Sequence, residues 1–366
     1  MKFALALLLA FSGTFVLAQP SEARSGSGNS VSTPKAHRDG SGVVVRGRVS
    51  GHAKSVKIQK RVGRHWRTIS RTKVYRGAYA ARIRTSTRTS TTLRAVTTTA
   101  ASRTVIVRPS GTDSCGTRPV KADGSLWSCS FADDFNGTSL DRSKWTAQTQ
   151  FASGVQATHA CYVDDPSVVN VSGGTLNLTV RKVSTPVTCS FGGMSGPTSY
   201  IGGSVFTYRL FSQQYGRFEA RFKNTASSYQ GLHEAFWMWP DDRYSSGIWP
   251  MSGEIDVAEV YSYYQNLMIP FLHYGYGMPV TPTVNTAWNC AASRGVYNTY
   301  TLTWSATRLQ IDVNGKTCLV NNSGDAAFQK PYIMALTQAL GATGNEYDGR
   351  APLPATMNVD YVKVWK

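Results

Sequence analysis

Between Trp249 and Tyr261 the sequence reads Trp-Pro-Met-Ser-Gly-Glu-Ile-Asp-Val-Ala-Glu-Val-Tyr, which places Glu254, Asp256 and Glu259 within six residues of an otherwise apolar, β-branched run. Such a run favours a pleated strand. Successive side chains of a strand alternate faces, so Glu254 and Asp256 share one face and Val257 turns away. Strict alternation puts Ala258 on the acidic face and Glu259 behind it. One extra residue, a β-bulge, brings Glu259 back beside the other two, and bulges are over-represented next to active sites. Three acids on one strand face repel each other, so a purely structural sheet gains nothing from them. Catalysis does gain, because close carboxylates split their pKa values and one keeps its proton while another is ionised.

The flanks narrow the chemistry. Trp249-Pro250 precedes the acids, and Phe236-Trp237-Met238-Trp239-Pro240 lies before that, supplying flat aromatic surfaces of the kind sugar rings stack on. Glu-Ile-Asp-Val-Ala-Glu, led by Trp-Pro-x-x-Gly, resembles the active-site signature of glycoside hydrolase family 16 in its bulged, laminarinase-like form. Further segments resemble the family in order. They are Asp133-Asp134-Phe135-Asn136-Gly137 through Trp145, the hairpin-like Asn170–Leu178, Tyr215–Phe222, Tyr300–Trp304 with Leu309–Gly315, and Val359–Trp365. The resemblance implies an all-β fold, a concanavalin-like β-jelly-roll sandwich of two stacked antiparallel sheets with the substrate cleft on the concave face. The strand-only pattern from residue 126 onward, with no helical period longer than two turns, agrees with it.

By motif position, the resemblance makes Glu254 the nucleophile and Glu259 the acid/base of a retaining double displacement. Asp256 becomes the intervening acid that hydrogen-bonds the nucleophile. Retaining enzymes hold the two groups about 5–5.5 Å apart, and same-face strand neighbours lie within roughly 7 Å. Glu259 has to be protonated to donate to the leaving oxygen, and repulsion from Glu254 and Asp256 is expected to raise its pKa once the cleft is occupied. His273 matches a cleft-facing position on the adjacent strand, in contact with substrate or behind the acids. Trp249 is the expected stacking platform. Trp237 and Trp239 are two apart and share a face, so they line the cleft or pack in the core together. Asp360 matches a carboxylate that in relatives binds a structural calcium on the convex face; catalysis itself needs no cofactor.

Two segments depart from the laminarinase pattern. Gly231-Leu-His-Glu-Ala-Phe-Trp stands where relatives have Trp-Pro-Ala-x-Trp, and Met334–Leu340 replaces a segment that commonly carries Asn. These leave the reaction class alone and bear on the glycan. The leading reading is an exported endo-acting β-glycan hydrolase, with β-1,3-glucan as substrate. The alternatives are an endo-galactanase (agarase- or carrageenase-like), a transglycosylase on the same residues, and an inactive lectin-like glycan-binding protein. The intact acids argue against the last.

Charge divides the chain. Residues 24–112 hold 20 Lys/Arg and one acid, Asp39, whereas residues 113–366 hold 18 Lys/Arg and 19 Asp/Glu. Two modules with different partners account for this asymmetry. Lys2, the apolar run Phe3–Leu17 and Ser21-Glu22-Ala23 read as a signal peptide over residues 1–23, too short for a membrane span. A Ser/Gly/Asn/Thr-rich linker follows over 24–41.

Residues 42–108 carry short alternating segments separated by turn residues, the pattern of a small basic β-sandwich that weakly resembles immunoglobulin-like modules. Val56, Ile58, Trp66, Ile69 and Ile83 are expected to face inward. A second linker is expected over 109–125, before the catalytic domain, 126–366. The basic module is expected to contact an anionic cell-wall polymer or acidic polysaccharide. Nucleic acid is disfavoured by export and by the single aromatic platform, Trp66. A secreted, wall-associated monomer is the expected form. Cys115, Cys129, Cys161, Cys189, Cys290 and Cys318 all lie in the second part. An even count in an exported chain points to three disulfides, and proximity favours 115–129, 161–189 and 290–318 among 15 connectivities.

Overall fold

The structure is a computed structural model that describes residues 29–39, 42–85, 89–108, 111–275 and 284–366. The expected signal peptide, residues 1–23, lies outside them. The chain forms two compact units, Met1–Pro109 and Ser110–Lys366. Among the described residues no helix is long and apolar enough to cross a membrane.

In the first unit, alternation builds two four-stranded antiparallel sheets. Ser30–Val31, Gly42–Ser50, Lys35–Asp39 and Ala78–Arg84 form one; His65–Lys73, Ser55–Val62, Thr91–Val96 and Val105–Val107 form the other. Val43, Val45 and Ile83 from the first sheet meet Val56, Ile58 and Leu93 from the second in one core. Two sequence expectations fail here. Residues expected as linker form Ser30–Val31 and Lys35–Asp39, because Val31 and Ala36 pack against that core. Trp66, expected inward, is outside it. The strand register slips at Ile69, so the alternation reverses and Trp66 pairs with Arg61 on the outer face, its ring covered by the Arg94 guanidinium at 4.2 Å.

The second unit begins earlier than the sequence indicated. Described residues of the expected 109–125 linker form the short ladder Thr112–Asp113 with Gly116–Thr117, Cys115 is disulfide-bonded to Cys129, and Arg118 Nε donates to the Trp127 carbonyl at 2.6 Å. Cys161–Cys189 and Cys290–Cys318 complete the three pairs that proximity favoured.

Two antiparallel-dominated sheets then stack as a jelly roll. Among the described residues, one runs in the order Thr146–Ala147, Ser204–Phe206, Tyr332–Leu340, Leu232–Pro240, Glu254–Tyr261, Leu267–His273 and Cys290–Ala291. The other is built around Thr175–Phe191, Ala355–Trp365, Gly216–Lys223 and Asn298–Ser305. The hairpin Val169–Ser172/Thr175–Phe191 turns on Gly173 and Gly174, whose φ values of 62° and 74° favour glycine.

Phe218, Phe222 and Trp304 of the larger sheet pack with Phe236, Met238, Ile255 and Val257 of the smaller in one core. One ion pair is also buried. Arg294 donates to both Glu234 oxygens at 2.7 and 2.8 Å, and Gln338 Nε2 donates to the same carboxylate at 3.0 Å. Removing either charge alone costs about 3–5 kcal/mol by stranding the other.

Candidate active site

The site is made by one irregular strand. In Glu254–Tyr261, Asp256 pairs with Trp237 on one neighbour and Phe271 on the other, and Glu259 pairs with Ala235 and Ile269. Three residues on this strand thus span two on each neighbour, which is a bulge at Val257-Ala258. Both bulged side chains are fully buried, while Glu254, Asp256 and Glu259 all reach a cleft of about 830 Å³. Sequence alternation alone puts Glu259 behind the sheet; the extra residue returns it to the open face.

The neighbouring strands supply partners by their own alternation. On Leu232–Pro240, Phe236 and Met238 enter the core, and His233, Ala235, Trp237 and Trp239 line the cleft. The tryptophan pair is therefore a cleft feature, with ring centroids 6.3 Å apart and Trp237 Nε1 donating to Thr337 Oγ1 at 2.9 Å. Trp249 Nε1 donates to Glu254 Oε2 at 2.7 Å, and its ring is 49% exposed. His273 sits directly across the ladder from Glu254, its Nε2 3.1 Å from Asp256 Oδ2 and 4.0 Å from Glu254 Oε2. The expected site residues of the cleft are thus brought together.

His233 and Tyr261 are the two the sequence reading missed. Tyr261 hydroxyl donates to Glu259 Oε1 at 2.7 Å, and His233 Nε2 lies 3.1 Å from the same oxygen. Their rings stack at 4.2 Å, so each fixes the other. The signal was present: His233 shares the parity of Trp237, and Tyr261 that of Glu259. His233 lies in the segment that departs from the laminarinase pattern.

These partners redistribute the protons. Burial, and after it the Asp256 carboxylate, push Glu254 up to about 8. Asp256 is raised well above the usual carboxylate range, by burial first and Glu259 second. Burial raises Glu259 too, but His233, Tyr261 and His273 outweigh it and hold Glu259 below its ordinary value. Whereas the rise expected of Glu259 concerns the substrate-filled cleft, Glu254 and Asp256 here keep their protons and Glu259 is the ionised member of the cluster. The physical reason is the imidazole at 233.

Asp360, the expected calcium ligand, is committed to an ion pair. Its carboxylate is paired with the Arg221 guanidinium, which lies 4.4 Å from the Tyr297 ring with Lys223 on the same ring at 5.4 Å. A dication there would displace one cation and adjoin another, so the residues present do not fit it.

Known proteins share this architecture. Residues 156–363 match the model of glycosyl hydrolases family 16. The chain belongs to that family. Among relatives, it is 28% identical over 262 residues to a glucan endo-1,3-β-glucosidase A1 of Niallia circulans, covering 64% of this chain and 37% of that protein. It is 29% identical over 248 residues to a keratan-sulfate endo-1,4-β-galactosidase of Sphingobacterium multivorum, covering 66% and 54%. The chain therefore spans about a third to a half of these family 16 proteins. A solved family 16 structure, a non-specific endo-β-1,3(4)-glucanase co-crystallised with an oligosaccharide, superposes with a TM-score of 0.56 at 26% identity, covering 68% of this chain and 97% of that one.

Proposed function

We propose that the second unit cleaves β-glycan chains internally, with β-1,3-glucan as substrate, by a retaining double displacement. The observation that carries this reading is the bulge that sets three carboxylates, with Trp249 bonded to the first, in a tryptophan-lined cleft. The Glu254 carboxylate attacks the anomeric carbon as the leaving glycosidic oxygen takes the proton of Glu259. Water then attacks the glycosyl ester, giving its proton to Glu259 and releasing Glu254. Protonated Asp256 beside Glu254 supplies a hydrogen bond to the carboxylate that forms and leaves. For the first step, the Glu254 proton has to pass to Glu259, while Asp256 keeps its own. The glycan favours this transfer by setting its glycosidic oxygen, an acceptor, beside Glu259, since a hydrogen bond from the neutral acid favours the protonated form.

Substrate and stereochemistry are tested together by incubating the protein with laminarin, mixed-linkage β-glucan and a β-1,4-galactan. Products are sized by chromatography and early ones read by proton NMR. Oligosaccharides from laminarin, released first as the β-anomer, are expected. Initial α-anomer overturns retention, and cleavage of the galactan alone overturns the glucan reading. The galactan arm is favoured by the likeness to the keratan-sulfate galactosidase.

The proton distribution favours a second assignment, with Glu259 as nucleophile and Glu254 as acid. Azide separates the two. Rescue of Glu259→Ala to a β-glycosyl azide fits Glu254 as nucleophile; a β-azide from Glu254→Ala fits the reverse.

We further infer export, since three disulfides persist in oxidising compartments. The basic first unit is read as a tether to an acidic surface.

A further inference from the structure

A cleft of about 670 Å³ in the first unit is lined by Lys35, Arg46, Arg48, Lys73 and Tyr75, together with residues 78–80. Strand alternation creates it. Val45 and Val49 enter the core, so Arg46 and Arg48 project from the outer face of Gly42–Ser50. Lys35 pairs across the ladder with Arg46, Arg46 with Ala80, and Arg48 with Ala78. Lys35 and Arg46 thus lie side by side across the ladder, Arg48 follows roughly 7 Å along the strand, Lys73 lines the same cleft, and the alanine methyls make a low floor. The chain reverses at Arg76 and Gly77, both at positive φ (49° and 70°), and leaves the Tyr75 ring 73% exposed.

Among the described residues no ion pair balances these charges, and Asp39, the one acid of residues 24–112, lies four residues from Lys35. Residues 42–109 contain neither Asp nor Glu. Two guanidinium forks and two ammonium groups converging with no ion pair among the described residues form a site for a polyanion, since each Arg presents paired donors to a carboxylate or sulfate. An exposed tyrosine beside them offers a sugar ring a flat face. A single ring is a poor platform for nucleic acid, which uses several for successive bases.

We propose that this cleft binds a chain of an acidic polysaccharide, its anionic groups on Lys35, Arg46, Arg48 and Lys73 and one sugar against Tyr75. This rests on the tethering role of the first unit and adds to it a location and a ligand class.

The test titrates the full-length protein against polygalacturonate, dextran sulfate, neutral dextran and duplex DNA, with no hydrolysis step. The variant Arg46→Ser/Arg48→Ser/Lys73→Ser is compared with Arg61→Ser/Arg64→Ser/Arg67→Ser, which removes three exposed charges elsewhere on the same unit. Loss of about tenfold or more in affinity for an acidic polymer is expected from the first, and less than about threefold from the second. The preferred polymer then assigns carboxylate or sulfate chemistry. Tyr75→Ser is expected to weaken binding several-fold without changing its salt dependence, because it removes stacking and no charge. Equal losses in the two triple variants overturn the cleft as the site and leave the tether, carried by overall charge. Failure of the unaltered protein to bind either acidic polymer overturns both. Duplex DNA binding more tightly than either polymer overturns the ligand class.

Discussion

Glu254 is held in a place where its charge is unwelcome. Its pKa is pushed up to about 8 by burial and then by Asp256. Below the ordinary carboxylate range, folded and unfolded chains are both protonated and the group does not affect stability. As pH rises, the unfolded chain ionises first, so the fold loses about 1.4 kcal/mol per pH unit until the folded group ionises too. Glu254→Gln removes that loss. The variant is expected to unfold at a higher temperature than the unaltered protein, with a margin that widens from about pH 5 to pH 8. Turnover is expected to fall by several orders of magnitude. Thermal unfolding across that pH range checks the sign, and a constant margin would show that Glu254 ionises normally. Glu259 has the opposite sign, because His233 and Tyr261 favour its charged form.

At the scale of the strand, the bulge at Val257-Ala258 is what the site depends on. Deleting Val257 restores regular alternation while leaving Glu259 opposite Ala235, so all three acids still face the cleft. The change removes one buried valine, worth about 1.5–3 kcal/mol, and the bend that aims Glu259. The expected variant folds, unfolds several degrees lower, retains glycan binding and loses about 100-fold in turnover, as small misplacements of catalytic groups do. Unfolding curves, with binding and rate measured separately, decide this; full turnover would mean that the bulge does not position Glu259. The alternation of Leu232–Pro240 explains why Trp237 and Trp239 act together. Their parity was legible in the sequence, but the face was not, because each side of this strand carries apolar residues.

For the whole molecule, the boundary between the units has a measurable consequence. A chain beginning at residue 110 keeps Cys115 for Cys129 and Arg118 for Trp127. One beginning at residue 126, where sequence alone places the domain start, loses both. The disulfide closes a span of 14 residues, for which chain entropy gives about 3 kcal/mol. The longer chain is expected to hydrolyse soluble neutral glucan as the full protein does and to be lost from acidic surfaces. The shorter one is expected to unfold at a clearly lower temperature. Equal melting temperatures would show that residues 110–125 are the linker that composition implied. Surface retention by the full protein is expected to weaken steeply between low and physiological salt, since exposed charges are screened within about 8–10 Å.

The sequence by itself determined the strand-only architecture, the bulge, the acids it gathers and the charge division between the units. Each of these follows from local periodicity, from counting, or from a short motif. The tertiary structure decided what depends on neighbours distant in the chain. His233 and Tyr261 meet Glu259 only because two ladders register, and that contact favours the charged form of Glu259. Asp360 meets Arg221 across Gly216–Lys223 and Ala355–Trp365, which ties up the carboxylate that motif position assigned to a cation. Within the Ser/Gly-rich segment before residue 42, Ser30–Val31 and Lys35–Asp39 become strand because Val31 and Ala36 find a core to cover. Composition reports a residue's own preferences, and pairing across a sheet is set by partners that composition does not contain.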